Sequence, residues 1–297
     1  MSRVLVLGAS GLVGSTCLAR WRDRFDVLAP SHAEVDVLDA SRLTDFFGNA
    51  RPRVVVNFAA WADVDAAEAQ AGDEQGSVYR LNAVYPGALA QHCAGLQAHL
   101  VHISTDYVFD GTNDQRPYRE ADPVNPLSWY ARTKAIGEQR VLASNPEACV
   151  ARIEMPFTAM SHPKRDFART TLQRLERGEI VTGVVDQRIT PVYLDDAAEA
   201  LARILERHVT GTLHIAATTW ASPYDFARGL AIRRGLDADQ VRPEAFASFS
   251  QQRRAPRPRH SWLDVRNAQA LLGSDVLRSI DLQLDAWAEA LVVASQP

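Results

Sequence analysis

The stretch Val4-Leu5-Val6-Leu7-Gly8-Ala9-Ser10-Gly11-Leu12-Val13-Gly14 decides how the chain begins to fold. A β-branched and leucine run halts at a glycine-rich turn, and apolar residues then recur at helical spacing through Leu12, Val13, Cys17, Leu18 and Trp21. An unbroken apolar run belongs to a parallel strand covered on both faces. Gly8 permits the tight turn, Gly11 lets backbone approach a phosphate, and Gly14 lets the helix lie against the strand. The free amides at the helix start, with the positive end of its dipole, make an anion site. Placed between strand and helix, this spacing predicts a pyrophosphate cradle built from Gly8, Ser10, Gly11, Leu12, Val13 and Gly14. A tight turn that holds nothing is the alternative.

The 297 residues bound one large or two small domains with length for a real core. A net charge of −4 argues against nucleic acid as the main partner. Cys17, Cys93 and Cys149 lie far apart, with neither a CxxC pair nor metal-ligand spacing, so they read as buried small hydrophobes in a reducing compartment, with no metal site. The first strand is expected from residue 3, which leaves no signal peptide, and no apolar run is long enough for a bilayer. The expectation is a cytoplasmic protein without a membrane partner.

Strand-like and amphipathic segments alternate through the first half, the pattern of stacked βαβ units. Phe25–Ala29 reads as the second strand and Val35–Leu38 as a short third, with Ser41 capping a helix through Phe46 and Phe47. Val54–Phe58, opened by Pro52, Leu100–Ile103 and Cys149–Ile153 read as further strands, and Leu81, Tyr85, Ala88, Leu89, Cys93 and Leu96 mark a helix. After residue 155 prolines and charges thicken and the alternation fades. The predicted fold is therefore α/β, a Rossmann-type doubly wound parallel sheet with a smaller C-terminal lobe for substrate. Residues 1–155 form the dinucleotide-binding domain, rejoined by about 190–216 through Asp195–Arg207 and Thr212–Ala216, and 156–189 with 217–297 form the lobe. Asp285–Val293 reads as an ordinary terminal amphipathic helix.

An acid ending the second strand would favour NAD, and an arginine NADP. Here the strand ends Leu28-Ala29-Pro30-Ser31-His32, with neither. Ser31 and His32 suit a 2′-phosphate, and the missing acid removes repulsion against it, so NADP(H) is favoured and NAD(H) stays open. Asp36, Val37, Ala59 and Ala60 complete the expected cofactor contacts.

Two more stretches carry chemistry. His102-Ile103-Ser104-Thr105-Asp106-Tyr107-Val108-Phe109-Asp110-Gly111 puts hydroxyl residues at the C-terminal end of a buried strand, where ligands of open α/β sheets bind. Tyr130-Ala131-Arg132-Thr133-Lys134 puts Tyr130 and Lys134 on one helical face. A lysine cation beside the phenol should lower its pKa from about 10 and make Tyr130 a usable acid or base. An isolated YxxxK is more often solvated surface; with the glycine turn and the hydroxyl-bearing strand end it becomes a candidate catalytic set.

These motifs resemble the extended short-chain dehydrogenase/reductase superfamily and, within it, the dTDP-4-dehydrorhamnose reductase family. Asn57–Glu68 is similar to that family's stretch after the fourth strand, and Ser104–Gly111 reads as its STDYVFDG signature. Asp186-Gln187-Arg188 with Thr190-Pro191 and Asp195 or Asp196 resembles its DQ…PT…D segment, and Arg257–Asp264 its RPxxSxLD tail. The resemblance implies reduction of a nucleotide-linked 4-keto-6-deoxy sugar. Tyr130 would donate the proton, Thr105 stabilise the developing alkoxide, and Lys134 tune Tyr130 and hold the nicotinamide ribose. Asp106, Tyr107, Val108, Trp61 and Arg257 would touch substrate, Arg257 through the diphosphate, with Arg259 a weaker candidate and Trp129 another stacking ring.

Asp106 is followed by Tyr107, so the acid pair of the superfamily's dehydratases is incomplete. Where the family reads RTxWxYG, this chain has Arg152-Ile153-Glu154-Met155-Pro156-Phe157-Thr158-Ala159, which alters the substrate side. Ser15 and Thr16 stand where some relatives carry a metal-linking glutamate, so no metal-linked dimer carries over, although a homodimer remains possible. Lys164 and Arg165 read as surface charges. The alternative function is a non-catalytic NADP-binding partner similar to the regulatory β-subunit of methionine adenosyltransferase.

Overall fold

The computed structural model describes residues 3–294, so the outermost of the expected domain bounds, 1–2 and 295–297, lie outside the described residues. Six parallel strands form the central sheet: β1 (Arg3–Leu7), β2 (Asp26–Leu28), β3 (Val54–Asn57), β4 (His99–Thr105), β5 (Cys149–Ile153) and β7 (Gly211–Ile215). Their order is β2-β1-β3-β4-β5-β7, and β6 (Val181–Val184) pairs with β8 (Val241–Glu244) in a separate parallel ribbon. The chain starts in the middle, steps outward to β2 and returns past β1 to β3. The crevice between the carboxyl ends of β1 and β3 is therefore the switch point where such sheets bind ligands.

The unbroken apolar runs follow from double coverage. Val4 and Val6 face the helices Leu12–Trp21 and Leu194–Arg207, while Leu5 and Leu7 face Ala40–Ala50 and Tyr85–Gly95. Trp21 is fully enclosed, and its indole N–H donates to Ala198 O at 3.0 Å, tying the first helix to the one that precedes β7. A third core, with Phe157, Phe226, Leu230 and Trp287, holds the lobe together.

Three local readings need correction. Val35–Leu38 is a turn, because the amides of Glu34 and Val35 bond back to Ser31 O and that of Leu38 goes to Asp36 Oδ1, leaving no ladder to join. Val35 is apolar because it sits under Leu43 and Phe47, not because it is a strand residue. The following helix is capped by Asp39, whose Oδ1 accepts from the amides of Ser41 and Arg42, rather than by Ser41. The helix read through Leu81 and Tyr85 is interrupted by a π turn at Arg80–Val84. Pro86 has no N–H for the carbonyl four residues back, and the ladder widens just ahead of it.

A buried ion pair ties helix Trp129–Ser144 to the sheet. Arg152 of β5 donates Nε and Nη2 to Glu138, at 3.0 and 2.7 Å, with both side chains 6% exposed. The guanidinium also lies 5.1 Å from the Phe109 ring centre. His214, beside it, is pushed down to about 3 by burial and by the Arg152 charge, so it stays neutral. Glu138→Leu would leave the guanidinium buried and unpaired, and urea unfolding should show a loss of about 3–5 kcal/mol.

Candidate active site

β4 and helix Trp129–Ser144 build the centre. Ser128 caps the helix through Ala131 N at 3.3 Å, which fixes its first turn and so places Tyr130 opposite the end of β4. Lys134, one turn on, is buried and donates Nζ to Ile103 O at 2.7 Å, with His102 Nε2 at 3.4 Å. His102 Nδ1 in turn lies 3.0 Å from Asn57 Nδ2, and Asn57 Oδ1 accepts from Tyr85 and from Ala59 N, both at 3.1 Å. Thr105 Oγ1 is 2.8 Å from Asp106 Oδ1 and accepts from Tyr107 N at 3.2 Å. The Tyr107 and Tyr130 rings meet edge to face at 6.3 Å.

The electrostatics reverse one expectation. Burial drives Tyr130 above the usual tyrosine range, a hydrogen bond with Thr105 opposes this, and Asp106 adds to it. Burial of the phenol outweighs the favourable effect expected of the Lys134 ammonium, which donates to the Ile103 carbonyl. Burial lowers Lys134 itself to about 8, with Glu138 opposing. At neutral pH Tyr130 thus keeps its proton and Lys134 remains mostly cationic, the state a proton donor needs.

The glycine turn fits a dinucleotide. Gly8 has φ +76°, and a Cβ there would lie 2.4 Å from Ala59 N; one at Gly14 would lie 2.7 Å from Gly8 O. The helix begins at Gly11 with neither a side-chain cap nor an acid in its first turn, so its amides stay open to an anion. A cleft of about 660 Å³ runs from this turn to the lobe. Gly11, Leu12, Val13, Gly14, Ala60, Thr105, Asp106, Tyr107, Tyr130, Lys134 and Arg257 lie on its walls, which brings most of the proposed set together.

Other candidates stand elsewhere. Val108 is fully enclosed in the core, so its side chain offers nothing to a substrate. Ala60 and Ala62 face the cleft, whereas Trp61 packs against the Tyr79–Trp129 cluster, where those two rings stack at 6.0 Å. Gly8 and Ala59 lie beneath the turn in mutual contact. Ser10 lies outside the walls, its carbonyl 3.0 Å from His162 Nε2. Val37 packs on the core, and Asp36 is turned to the amide of Leu38. His32 is exposed. Arg259 is exposed and held by Asp186. Arg257 faces the cleft but is paired with Asp65 at 2.9 Å.

One inference from absence also changes. Ser31 N and Oγ both donate to Glu34 Oε2 at 2.7 Å, so a carboxylate does stand in the loop after β2, six residues past Leu28. Lys164 and Arg165 are exposed yet face the cleft, joined there by Arg174 and Arg253. Glu154 and Ser261 also reach the cleft, and sequence reasoning assigned neither to the site. Ser261 lay inside a quoted motif, and Glu154 was visible only as a departure. Among the described residues, no cluster of His, Cys, Asp and Glu forms a metal site, and no helix is long and apolar enough to cross a membrane.

Sheet order, glycine turn and the Thr105–Tyr130–Lys134 set together define an extended short-chain dehydrogenase/reductase. The family model of the RmlD substrate binding domain matches residues 2–292, and the chain belongs to that family. It is 38% identical to a dTDP-4-dehydrorhamnose reductase of Mycolicibacterium smegmatis over 97% of this chain and 84% of that one. It is equally 38% identical to a probable dTDP-4,6-dihydroxy-2-methyloxan-3-one 4-ketoreductase of Streptomyces antibioticus, over 97% and 93%. Among solved structures, a dTDP-4-dehydrorhamnose reductase of Bacillus anthracis in complex with NADP superposes with a TM-score of 0.87 at 25% identity, covering 97% and 99%.

A Cβ at Gly11 would meet only Gly8 O, at 3.4 Å, so Gly11→Asp should fold normally. Its carboxylate at the anion site should weaken dinucleotide binding at least about tenfold in a fluorescence titration. Unchanged affinity would remove the pyrophosphate from this turn.

Proposed function

We propose that this protein is an NAD(P)H-dependent reductase of a nucleoside-diphosphate-linked 4-keto-6-deoxy sugar. One observation carries the reading: a tyrosine that holds its proton and a threonine hydroxyl share a cleft with the open glycine turn. The cofactor would lie along Gly11, Leu12, Val13 and Gly14, with its ribose near Lys134 and Tyr130; when bound, it supplies the hydride. Tyr130 gives its proton to the alkoxide oxygen forming at C4. Thr105 donates a hydrogen bond to the same oxygen as charge develops there. Lys134, still cationic below about pH 8, offsets the phenolate left on Tyr130. Arg257, Lys164, Arg165 and Arg253 give the cleft the positive rim that a diphosphate favours, Arg257 at reduced charge because Asp65 shares it.

Relatives at 38% identity carry reductase names, which does not favour the non-catalytic partner reading. Two such relatives act on different sugars by name, so the reading stops at the substrate class. NADP(H) remains the preferred cofactor, supported by the NADP complex of the similar Bacillus anthracis enzyme and opposed by Glu34.

Tyr130→Phe should cut kcat by about 10²–10⁴-fold in an NADPH oxidation assay while dinucleotide affinity holds. Retention of most activity would refute the assignment. Glu34→Gln removes the negative charge while its amide oxygen can still accept from Ser31, so the NADPH-to-NADH ratio of kcat/KM should rise several-fold, roughly as expected for one like charge near a phosphate. An unchanged ratio would place the 2′ position away from Ser31.

A further inference from the structure

Glu154 follows β5 directly, and Met155 after it turns the chain with a left-handed φ of 37°. Its carboxyl is buried and fully engaged. Oε2 accepts from Thr190 N at 2.8 Å and from the Thr190 hydroxyl, and Oε1 accepts from Ser261 Oγ at 2.5 Å. Thr190 Oγ1 also receives Leu263 N at 2.9 Å. Two segments distant in sequence are thus tied to one glutamate, on the same cleft wall as Asp106.

Asp106 is 3% exposed and poorly supplied with donors. Ser261 stands against it too, but the single Ser261 proton is used on Glu154. The groups that face Asp106 are Thr105 and Tyr107 beside it, Tyr130 from the helix, Glu154 from the end of β5 and Ser261 from the C-terminal segment. Of the cleft cations, Arg257 is committed to Asp65 and Lys134 to the Ile103 carbonyl, and none of the others is among the groups that face Asp106. Among the described residues, only Thr105 remains to stabilise a charged Asp106 side chain beyond the backbone, and Thr105 has one proton. An ionised Asp106 would take that proton and leave none for the substrate oxygen.

We infer that Glu154 is a positioning residue that keeps a proton on Asp106, so that Asp106 donates to Thr105 and the Thr105 proton is aimed at the substrate oxygen. This rests on the reductase reading above. Burial first, and then the charge of Glu154, push Asp106 well above the usual carboxylate range; burial also raises Glu154 to about 7 against its bonds from Ser261 and Thr190, so Asp106 is the member of the pair that holds its proton to higher pH. Two carboxyls in one dry site do not both ionise readily. The chemistry balances without consuming the Asp106 proton: hydride and the Tyr130 proton add across the C=O bond, and Asp106 only sets the direction of a hydrogen bond.

Two measurements test it. The infrared difference between the parent protein and Asp106→Asn at pH 7, which needs no substrate, should contain the C=O stretch of a protonated acid; carboxylate bands alone would overturn the proposal. Glu154→Gln removes the charge and keeps an acceptor for Thr190, while its amide nitrogen donates to Ser261 Oγ; the same substitution in a Ser261→Ala background separates the lost charge from the released Ser261 proton. The pH at which the acid band disappears should fall by about one unit or more in that variant. The high-pH limb of kcat/KM should move down with it, and in Asp106→Asn, whose amide donates at every pH, only the limb set by Lys134 near pH 8 should remain. A Glu154→Gln profile lowered evenly with its limb in place would make Glu154 a packing residue and sink the proposal. Absence of turnover in the parent would instead count against the reductase reading, with the infrared result standing by itself.

Discussion

The closeness of two backbones governs this molecule. The turn after β1 must pass the end of β3 with no room for a methyl group at Gly8. That contact depends on β3 pairing beside β1 in register, Leu7 opposite Asn57, and on Phe58 N bonding to Leu7 O at 2.8 Å. The same register brings Asn57 opposite His102 on β4. From there the polar line through His102 to Lys134 runs beneath the cleft, so the anion site and the lysine are positioned by one set of strand pairings.

The site handles its buried charges in two ways. Structural charge is matched within the protein, as where Arg152 meets Glu138. In the cleft Arg257 is still matched by Asp65, but the three groups nearest the catalytic set are not. Lys134 has a carbonyl rather than a carboxylate, and Asp106 and Glu154 have hydroxyls and amides. Unmatched groups in a dry site have protonation states that answer to small changes around them, which is useful for proton transfer and costly for stability.

Much of this was legible in the sequence, for physical reasons. The runs Val4–Leu7, Val54–Asn57 and Cys149–Ile153 declare themselves because strands buried on both faces have no polar positions. Thr105, Tyr130 and Lys134 were readable because each lies in a short motif whose geometry is local. What escaped depended on distant partners. Val35–Leu38 imitates a strand because Val35 is core, while its amides close a turn. The proton affinity of Tyr130 was misjudged because spacing does not reveal how completely the phenol is buried. Glu154 has its meaning only once Thr190 and Ser261 have folded onto it.

The place of β7 has a consequence for how the chain assembles. β5 has an open parallel edge until Gly211–Ile215 arrives to pair with Cys149–Ile153. The intervening chain, including β6 and the segment carrying Lys164 and Arg165, is therefore a loop closed by that pairing. Its closure entropy grows only with the logarithm of its length, so a sizeable excursion costs little equilibrium stability but delays formation of the last strand pair. An emerging chain that has made the first five strands still presents an unpaired edge to its neighbours. The late strand that covers this edge also fixes the start of the segment after Ile215, whose Ala221 pairs with Ile189 beside the cleft, coupling completion of the sheet to assembly of the cleft wall.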